Sequence, residues 1–400
     1  MKKIYSDLQS LIKFTMLLSL MISIHQESKA SHAAGADLTY RWLSGNTYEV
    51  TAAFYRDCGG ISQPTTVTLE YGSVNCNFTS SVNLPVVNNG PVITYPCNST
   101  QTTCNGGSTP GIQQWLYRGN ITLPFACTDW VLSYNVVARN CAINTIVQPN
   151  PCNSSTSYEP IYVEALLNNV DAPGNSSPTF SNVPISFICL GQDFNYNHGV
   201  IDIDADSLAY SVITPLTSSN TTITYLPGFS AASPVSSSPA FSINPVTGDL
   251  FMHSTALQVS VVAVKIQEFR NGILIGSVIR DMQIYSRNCS PNIVPVASGI
   301  NGTNDFTAYV CPGSNLCFDV NSNDANAGQS VIMSWNSGIP GATFNISGSP
   351  FPTGQFCWTP QASDARAQPY TFTVTVRDDA CPLNGLQTYS YQIYVPKVDA

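Results

Sequence analysis

The sequence predicts an all-β chain of tandem antiparallel β-sandwich domains, and three observations carry that prediction. Short runs rich in β-branched and aromatic residues recur along the chain, separated by Gly, Pro, Asn and Ser, which is the pattern of strands joined by turns. Charged residues make up only 10% of the chain, against about 25% in an ordinary soluble domain, so the Glu-, Lys- and Ala-rich outer faces of long helices are missing. Residues 183–400 read as two diverged copies of one unit. Each copy passes through an Asp/Asn-rich turn, a strand, an Xaa-Gly hairpin cue and a long alternating strand. These are 202–210, 241–248 and 261–269 in the first copy, and 319–330, 344–358 and 370–378 in the second. Repeated strand-rich units argue for architecture and binding before catalysis.

In chain order, residues 1–30 read as an export signal. Lys2, Lys3 and Lys13 precede an apolar run, 14–24, too short to span a bilayer as a mature helix. Ser28-Lys29-Ala30 offers small residues where a signal peptidase cleaves. Removing this segment leaves 11 basic against 22 acidic residues, a net charge of −11. Such a surface disfavours nucleic acid, which is bound through a basic face, and suits divalent cations and neutral glycans. No later stretch is long and apolar enough to predict a membrane span. Thirteen cysteines follow the signal, which indicates an oxidising compartment. Their odd number leaves at least one thiol unpaired within the monomer, and the absence of any Cys-x-x-Cys argues against zinc.

Residues 31–182 read as a disulfide-rich N-terminal β-sandwich. Strands at 39–43 and 48–56 flank the turn Ser44-Gly45-Asn46, and further strands follow at 66–71, 114–117, 130–137 and 161–166. Cys97 and Cys104 enclose a loop short enough for a local bridge, and Cys127 with Cys141 would staple two ends of one hairpin. A Pro-, Gly- and Ser-containing linker, 171–178, leads to a second domain at 183–290. Its only cysteines, Cys189 and Cys289, are expected to tie its ends. Within it Asn271-Gly272 separates two long alternating runs and predicts a hairpin, because Asn-Gly supplies the positive φ angles of a tight primed turn. The third domain, 291–400, carries Cys311, Cys317, Cys357 and Cys381. Three pairings are open; Cys317 with Cys357 and Cys311 with Cys381 are the expected ones.

Asp202-x-Asp204-x-Asp206-Ser207 is the sharpest chemical motif. Alternate carboxylates in a turn converge as hard oxygen ligands of the kind Ca²⁺ takes. The spacing is not that of an EF-hand, and the competing reading is a turn whose Asp side chains cap backbone amides. Asp319, Asn323 and Asp324 form a poorer version in the third domain. No catalytic residues are expected: there is no Gly-x-Ser-x-Gly elbow. His198 reads as a surface residue, and Glu49, Glu70, Glu159 and Glu164 read as solvated strand positions. Trp42, Trp115, Trp130, Trp335 and Trp358 suit core packing at their strand spacing. A sugar-stacking platform built from them would make the chain a carbohydrate-binding module, and a secreted hydrolase is the third reading.

Specific matches then run through residues 31–40, 54–58, 104–107, 123–130, 196–199, 202–210, 224–228 and 268–278. Over residues 31–290 the chain resembles the N-terminal region of large exported surface proteins of Bacteroidota. Many of those end in a gliding-motility-associated or type IX secretion sorting domain. Residues 291–400, with Trp358-Thr359-Pro360, resemble the immunoglobulin-like and cadherin-like repeats of bacterial adhesins. The acidic turn is placed like the calcium loops of cadherin-like modules. The resemblance implies a secreted, cell-surface structural or adhesion protein, linked to gliding motility and without catalytic residues. It implies an extracellular protein or glycan as partner, with self-association. Two departures stand out. Val137-Ala138 occupy the place where family members often carry a Cys pair before Arg139-Asn140. No sorting domain is recognisable before Ala400, so the resemblance implies a truncated member or retention at the surface through another protein.

Overall fold

A computed structural model describes residues 33–397 apart from 61, 98, 137, 150–158 and 185–186. The expected signal at 1–30 lies outside the described residues. Strands dominate, and the only helical segments among the described residues are three 3-10 turns.

β1 (Ala33–Ser44) turns through Gly45 and Asn46 into β2 (Thr47–Asp57). Gly45 takes φ +52° there, a conformation that costs glycine nothing. β2 pairs along its whole length with β5 (Ile112–Thr122), from Thr47↔Thr122 to Asp57↔Ile112. A second arm of the same sheet has the order β4-β3-β6-β7, from β3 (Thr66–Ser73), β4 (Phe78–Pro85), β6 (Trp130–Val136) and β7 (Ile161–Leu167). The two arms bury one core holding Leu38, Val50, Phe54, Leu69, Leu132 and Val163. Tyrosine hydroxyls tie them across it: Tyr134 Oη donates to Ala53 O, and Tyr40 Oη donates to Leu166 O at 3.0 Å. After β4, Val87 N donates to Leu116 O on β5 at 2.8 Å, so the two arms also meet at their far edges.

The hairpin signal at Asn271-Gly272 is realised, with φ of +54° and +80° at the two residues. It joins strands Gln258–Arg270 and Ile273–Arg287. The second of these is the axis of the unit. One side pairs with Gln258–Arg270 along the hairpin. Its other side takes β7 at Gly276–Val278, then β1 at Arg280–Met282, then the short strand Phe187–Cys189 in parallel. Gly35 of β1 makes this junction possible, since a Cβ there would lie 2.4 Å from Asp281 O. The division expected at 182/183 therefore gives way to a shared sheet and a shared core. Ile188, Phe194, Tyr210, Met252 and Ile284 join the same cluster as Leu38 and Trp130. The linker 171–178 suggested two domains; the long hairpin needed partners for its second edge and found them in β1 and β7.

The third block is a sandwich of two four-stranded sheets. One contains Leu316–Asn323, Thr353–Trp358 and Thr343–Ser347, and the other contains Leu386–Tyr394, Tyr370–Arg377 and Ile332–Trp335. Between them Phe356 stacks on Phe372 with ring centroids 4.5 Å apart, and Phe372 stacks on Tyr391 at 5.0 Å.

Disulfides join Cys189 to Cys289 and Cys317 to Cys357, the latter across directly paired strand residues. The local bridges expected elsewhere are replaced. Cys104 bonds Cys58, because the β2–β5 ladder brings their segments together, with Cys58 N donating to Gly111 O at 2.9 Å. Cys127 bonds Cys76, since β6 pairs with β3 and not with itself. Cys127 lies before the start of β6 and Cys141 beyond its end, so the two do not face each other across a hairpin. Cys141 is nonetheless disulfide-bonded. Cys381 bonds Cys97 across 284 residues, which leaves Cys311 free and exposed. Around that bridge Cys97 N donates to Pro382 O at 3.2 Å and Asn384 N to Tyr95 O at 3.0 Å.

Candidate acidic site at the hairpin tip

The strand Ser207–Ile213 pairs with Gln258–Arg270 in the register Ser207↔Phe269 and Leu208↔Glu268. That register brings the turn 202–206 to the hairpin tip, beside Glu268 and Arg270. Ala205 takes φ +62°, which folds the turn back so that Asp202 and Asp206 face the hairpin. Carboxylate oxygens of Asp202, Asp206 and Glu268 all lie within 4.8 Å of one another. Asp204 is not among them: its Oδ2 accepts Ser176 N at 2.7 Å, as a capping side chain does. The sequence motif thus supplies two of the three acids. The third, Glu268, sits in an apolar strand, and its only sequence signal is that one acid interrupts the run Val261–Phe269.

Arg270 grips Asp206 with two bonds, Nε to Oδ1 at 2.8 Å and Nη2 to Oδ2 at 2.6 Å. Asn175 Nδ2 donates to Glu268 Oε2 at 2.9 Å. Gly276 clears the space, since a Cβ there would fall 2.4 Å from Glu268 Oε2. Asp202 Oδ2 and Glu268 Oε1 are buried without any hydrogen-bond partner, a costly arrangement for carboxylates. Burial, and then the neighbouring Asp202, pushes Glu268 up to about 10, and burial raises Asp202 as well. With Glu268 held protonated at neutral pH, the charged groups of the site are Asp202 and Asp206 against Arg270, and a divalent cation would have to displace the Glu268 proton to use all three carboxyl groups as hard oxygen ligands. A cavity of about 80 Å³ opens beside Asp202 and Asp206, and Gly338, Arg366 and Thr371 of the third block form its far wall.

The weaker cluster does not assemble. Asp319 and Asn323 lie four positions apart on one extended strand, roughly 13 Å along the chain, so they cannot share an ion. Asp319 instead accepts Gln355 Nε2 at 3.3 Å, and Asp324 accepts Asn326 N at 2.7 Å.

Other residues singled out in the sequence are structural. Trp130 and Trp358 are buried, Trp115 and Trp335 pack against the cores, and Trp42 donates its indole N–H to Gly45 O at 2.8 Å. They form no common platform. Buried charged and polar side chains cluster around the axis strand. Arg139 pairs with Asp281 through two bonds of 2.8 Å. Arg280 donates to Asp37 at 2.8 Å, Tyr55 Oη donates to the same oxygen at 2.7 Å, and Asn140 donates to Asp57 at 2.9 Å.

His198 is fully buried, not on the surface. Its ring meets Tyr196 and Phe180 edge-on, with centroids 5.0 and 6.0 Å away, and neither nitrogen has a hydrogen-bond partner. Burial, aided by the Arg280 charge, holds its pKa well below the ordinary value. The folded state therefore stays unprotonated while the unfolded chain takes up a proton below about pH 6.5. Stability present above that pH should fall by about 1.4 kcal/mol per unit as the solution is acidified. His198→Phe, which suits the aromatic pocket, should remove that component of the slope in denaturation measured from pH 7 to 5. An unchanged slope would assign the acid sensitivity to other groups.

No family model and no curated protein matches the chain. Among solved structures it is similar to the tandem Ig repeats of Dlar, at 8% identity over 55% of this chain and 97% of that one, with a TM-score of 0.22. It is also similar to protocadherin gamma B7 extracellular cadherin domains 1–4, at 14% identity over 88% and 72%, with a TM-score of 0.19. A third likeness is to the endo-fucoidan hydrolase MfFcnA4 of glycoside hydrolase family 107, at 14% identity, with a TM-score of 0.20. That one covers 79% of this chain and 39% of the hydrolase. The architecture of the described residues is all-β, built of several largely antiparallel sheets.

Proposed function

We propose that the chain is a non-enzymatic structural and adhesion module of a cell surface, stiffened by calcium at Asp202, Asp206 and Glu268. The observation that carries this reading is the bracing between its parts. The bridge Cys97–Cys381 fixes the third block to the first, and the contacts around it include Asn195 N with Gln387 at 3.1 Å and Ser390 Oγ with Asp249 at 2.7 Å. A chain built to hold its sandwiches in fixed relation transmits force rather than flexing at a linker. The gliding-motility context rests on the resemblance over residues 31–290. Calcium would act on the same joint, because the acidic site faces the third block across its cavity.

The test has two readouts. An antibody fragment raised against the purified chain should label intact cells of the source organism; labelling only after lysis would sink the surface assignment. Thermal melts in millimolar Ca²⁺ should exceed those in chelator, by about 2.7 kcal/mol at a hundredfold excess over Kd. Asp202→Asn and Glu268→Gln should each abolish the difference. Asp204→Ala should lower both curves through its lost cap yet keep the calcium response. Superimposable curves in the unmodified chain would remove calcium from the reading.

A further inference from the structure

The outer face of β4-β3-β6-β7 is polar where its inner face is core. Strand alternation puts Ser81, Glu70, Ser133 and Glu164 in one row directly across the four strands. The row forms part of the lining of a groove of about 990 Å³, walled by the turn at Val74 and Asn77 on one side and by Ser219 and Asn220 on the other. The lining holds Glu70, Glu164 and Asp129 and no Lys or Arg. Asp129 is engaged by the turn itself, accepting Asn75 N at 2.9 Å. Glu164 accepts one bond, from Tyr162 Oη at 3.0 Å. Neither Glu70 nor Glu164 forms an ion pair among the described residues.

Glu70 and Glu164 stand two strand spacings apart, about 10 Å between backbones. That is too far for one ion to take both as ligands at 2.3–2.6 Å. It suits two separate cationic groups on one ligand. Alternate residues of an extended segment point the same way about 7 Å apart, and Lys or Arg side chains span the remainder. The surrounding hydroxyls of Ser81, Ser133 and Thr79 supply partners for a backbone laid along the groove. We infer that this groove binds an extended segment of a partner protein carrying Lys or Arg at alternate positions, with Glu70 and Glu164 as its two anchors. Charge complementarity of this sort sets orientation and association rate, and it is screened by salt. The inference does not depend on calcium or on the adhesive reading.

The probe is the peptide acetyl-Lys-Ser-Lys-Ser-Lys-amide, titrated into the full exported chain by calorimetry at low and at physiological salt. Binding is expected, weaker at the higher salt. The double variant Glu70→Gln/Glu164→Gln should lose at least tenfold in affinity with an unchanged melting temperature. A charge-matched double variant elsewhere, Asp319→Asn/Asp379→Asn, should bind as the parent does. Equal losses in both variants would reduce the effect to net charge and overturn the inference. So would absence of binding, equal binding of the lysine-acetylated peptide, or a preference for the neutral glycan cellopentaose.

Discussion

Replacing Asp281 by Ala is expected to lower the unfolding free energy by about 3–5 kcal/mol, the cost of leaving a buried charge without its partner. Arg139 and Asp281 are each only 1% exposed in their side chains, and their two bonds are both 2.8 Å long. Asp281 lies where the axis strand is paired on both edges, opposite Ala36 of β1 and Ala263 of the hairpin. The abandoned guanidinium is buried, so bulk solvation offsets little of the loss. The penalty belongs to the orphaned charge more than to the pair. Arg139→Met combined with Asp281→Leu should therefore recover most of the stability lost in Asp281→Ala, and denaturant titration of the single and double variants measures the coupling. If the double variant were as unstable as the single, shape complementarity at this site, not charge, would be the stabilising term.

Much of the strand content was legible because it is written locally. Alternation marks β2, and Asn271-Gly272 specifies the hairpin through positive φ that those two residues accept. Partners far apart in sequence were not legible. Nothing in the alternation of Ile273–Arg287 says that its second edge will be taken in turn by β7, β1 and Phe187–Cys189. The same limit explains the cysteines. Pairing by nearness suggested Cys97 with Cys104, whereas the ladder of β2 with β5 delivers Cys104 to Cys58 and frees Cys97 for Cys381. At the acidic site the alternating Asp motif pointed to a turn that does bring two of its acids together with a third. It mistook a capping residue, Asp204, for a member of the cluster and missed Glu268. A turn motif exposes its own spacing, but a single acid in a buried strand shows its purpose only when the opposing turn is in place. Glu70 and Glu164 looked scattered for a similar reason: their common row exists only through the pairing of β3, β6 and β7.

Breaking the Cys97–Cys381 bridge should change the mechanical response of the chain more than any other single substitution. The bridge encloses 284 residues. Cys189–Cys289 and Cys317–Cys357 already shorten the path inside that loop, and Cys58–Cys104 and Cys76–Cys127, which straddle its start, shorten it further. Pulled by its ends, the oxidised chain cannot extend the remaining segments; Cys97→Ser/Cys381→Ser can. The extra contour length is on the order of 400 Å at about 3.5 Å per residue, readily resolved by single-molecule force spectroscopy. Thermodynamically, closing so long a loop is worth up to about 5 kcal/mol in the chain-entropy description. Less should be lost in practice, because the ladder of Cys97 with Pro382 and Tyr95 with Asn384 remains to hold the joint. The same double variant separates two accounts of the bracing. If the third block still unfolds together with the first in denaturant, the noncovalent interface suffices to couple them and the bridge only limits extension. If the variant shows two separate transitions, the bridge itself couples the sandwiches. Rigidity at the joint would then depend on an oxidising exterior.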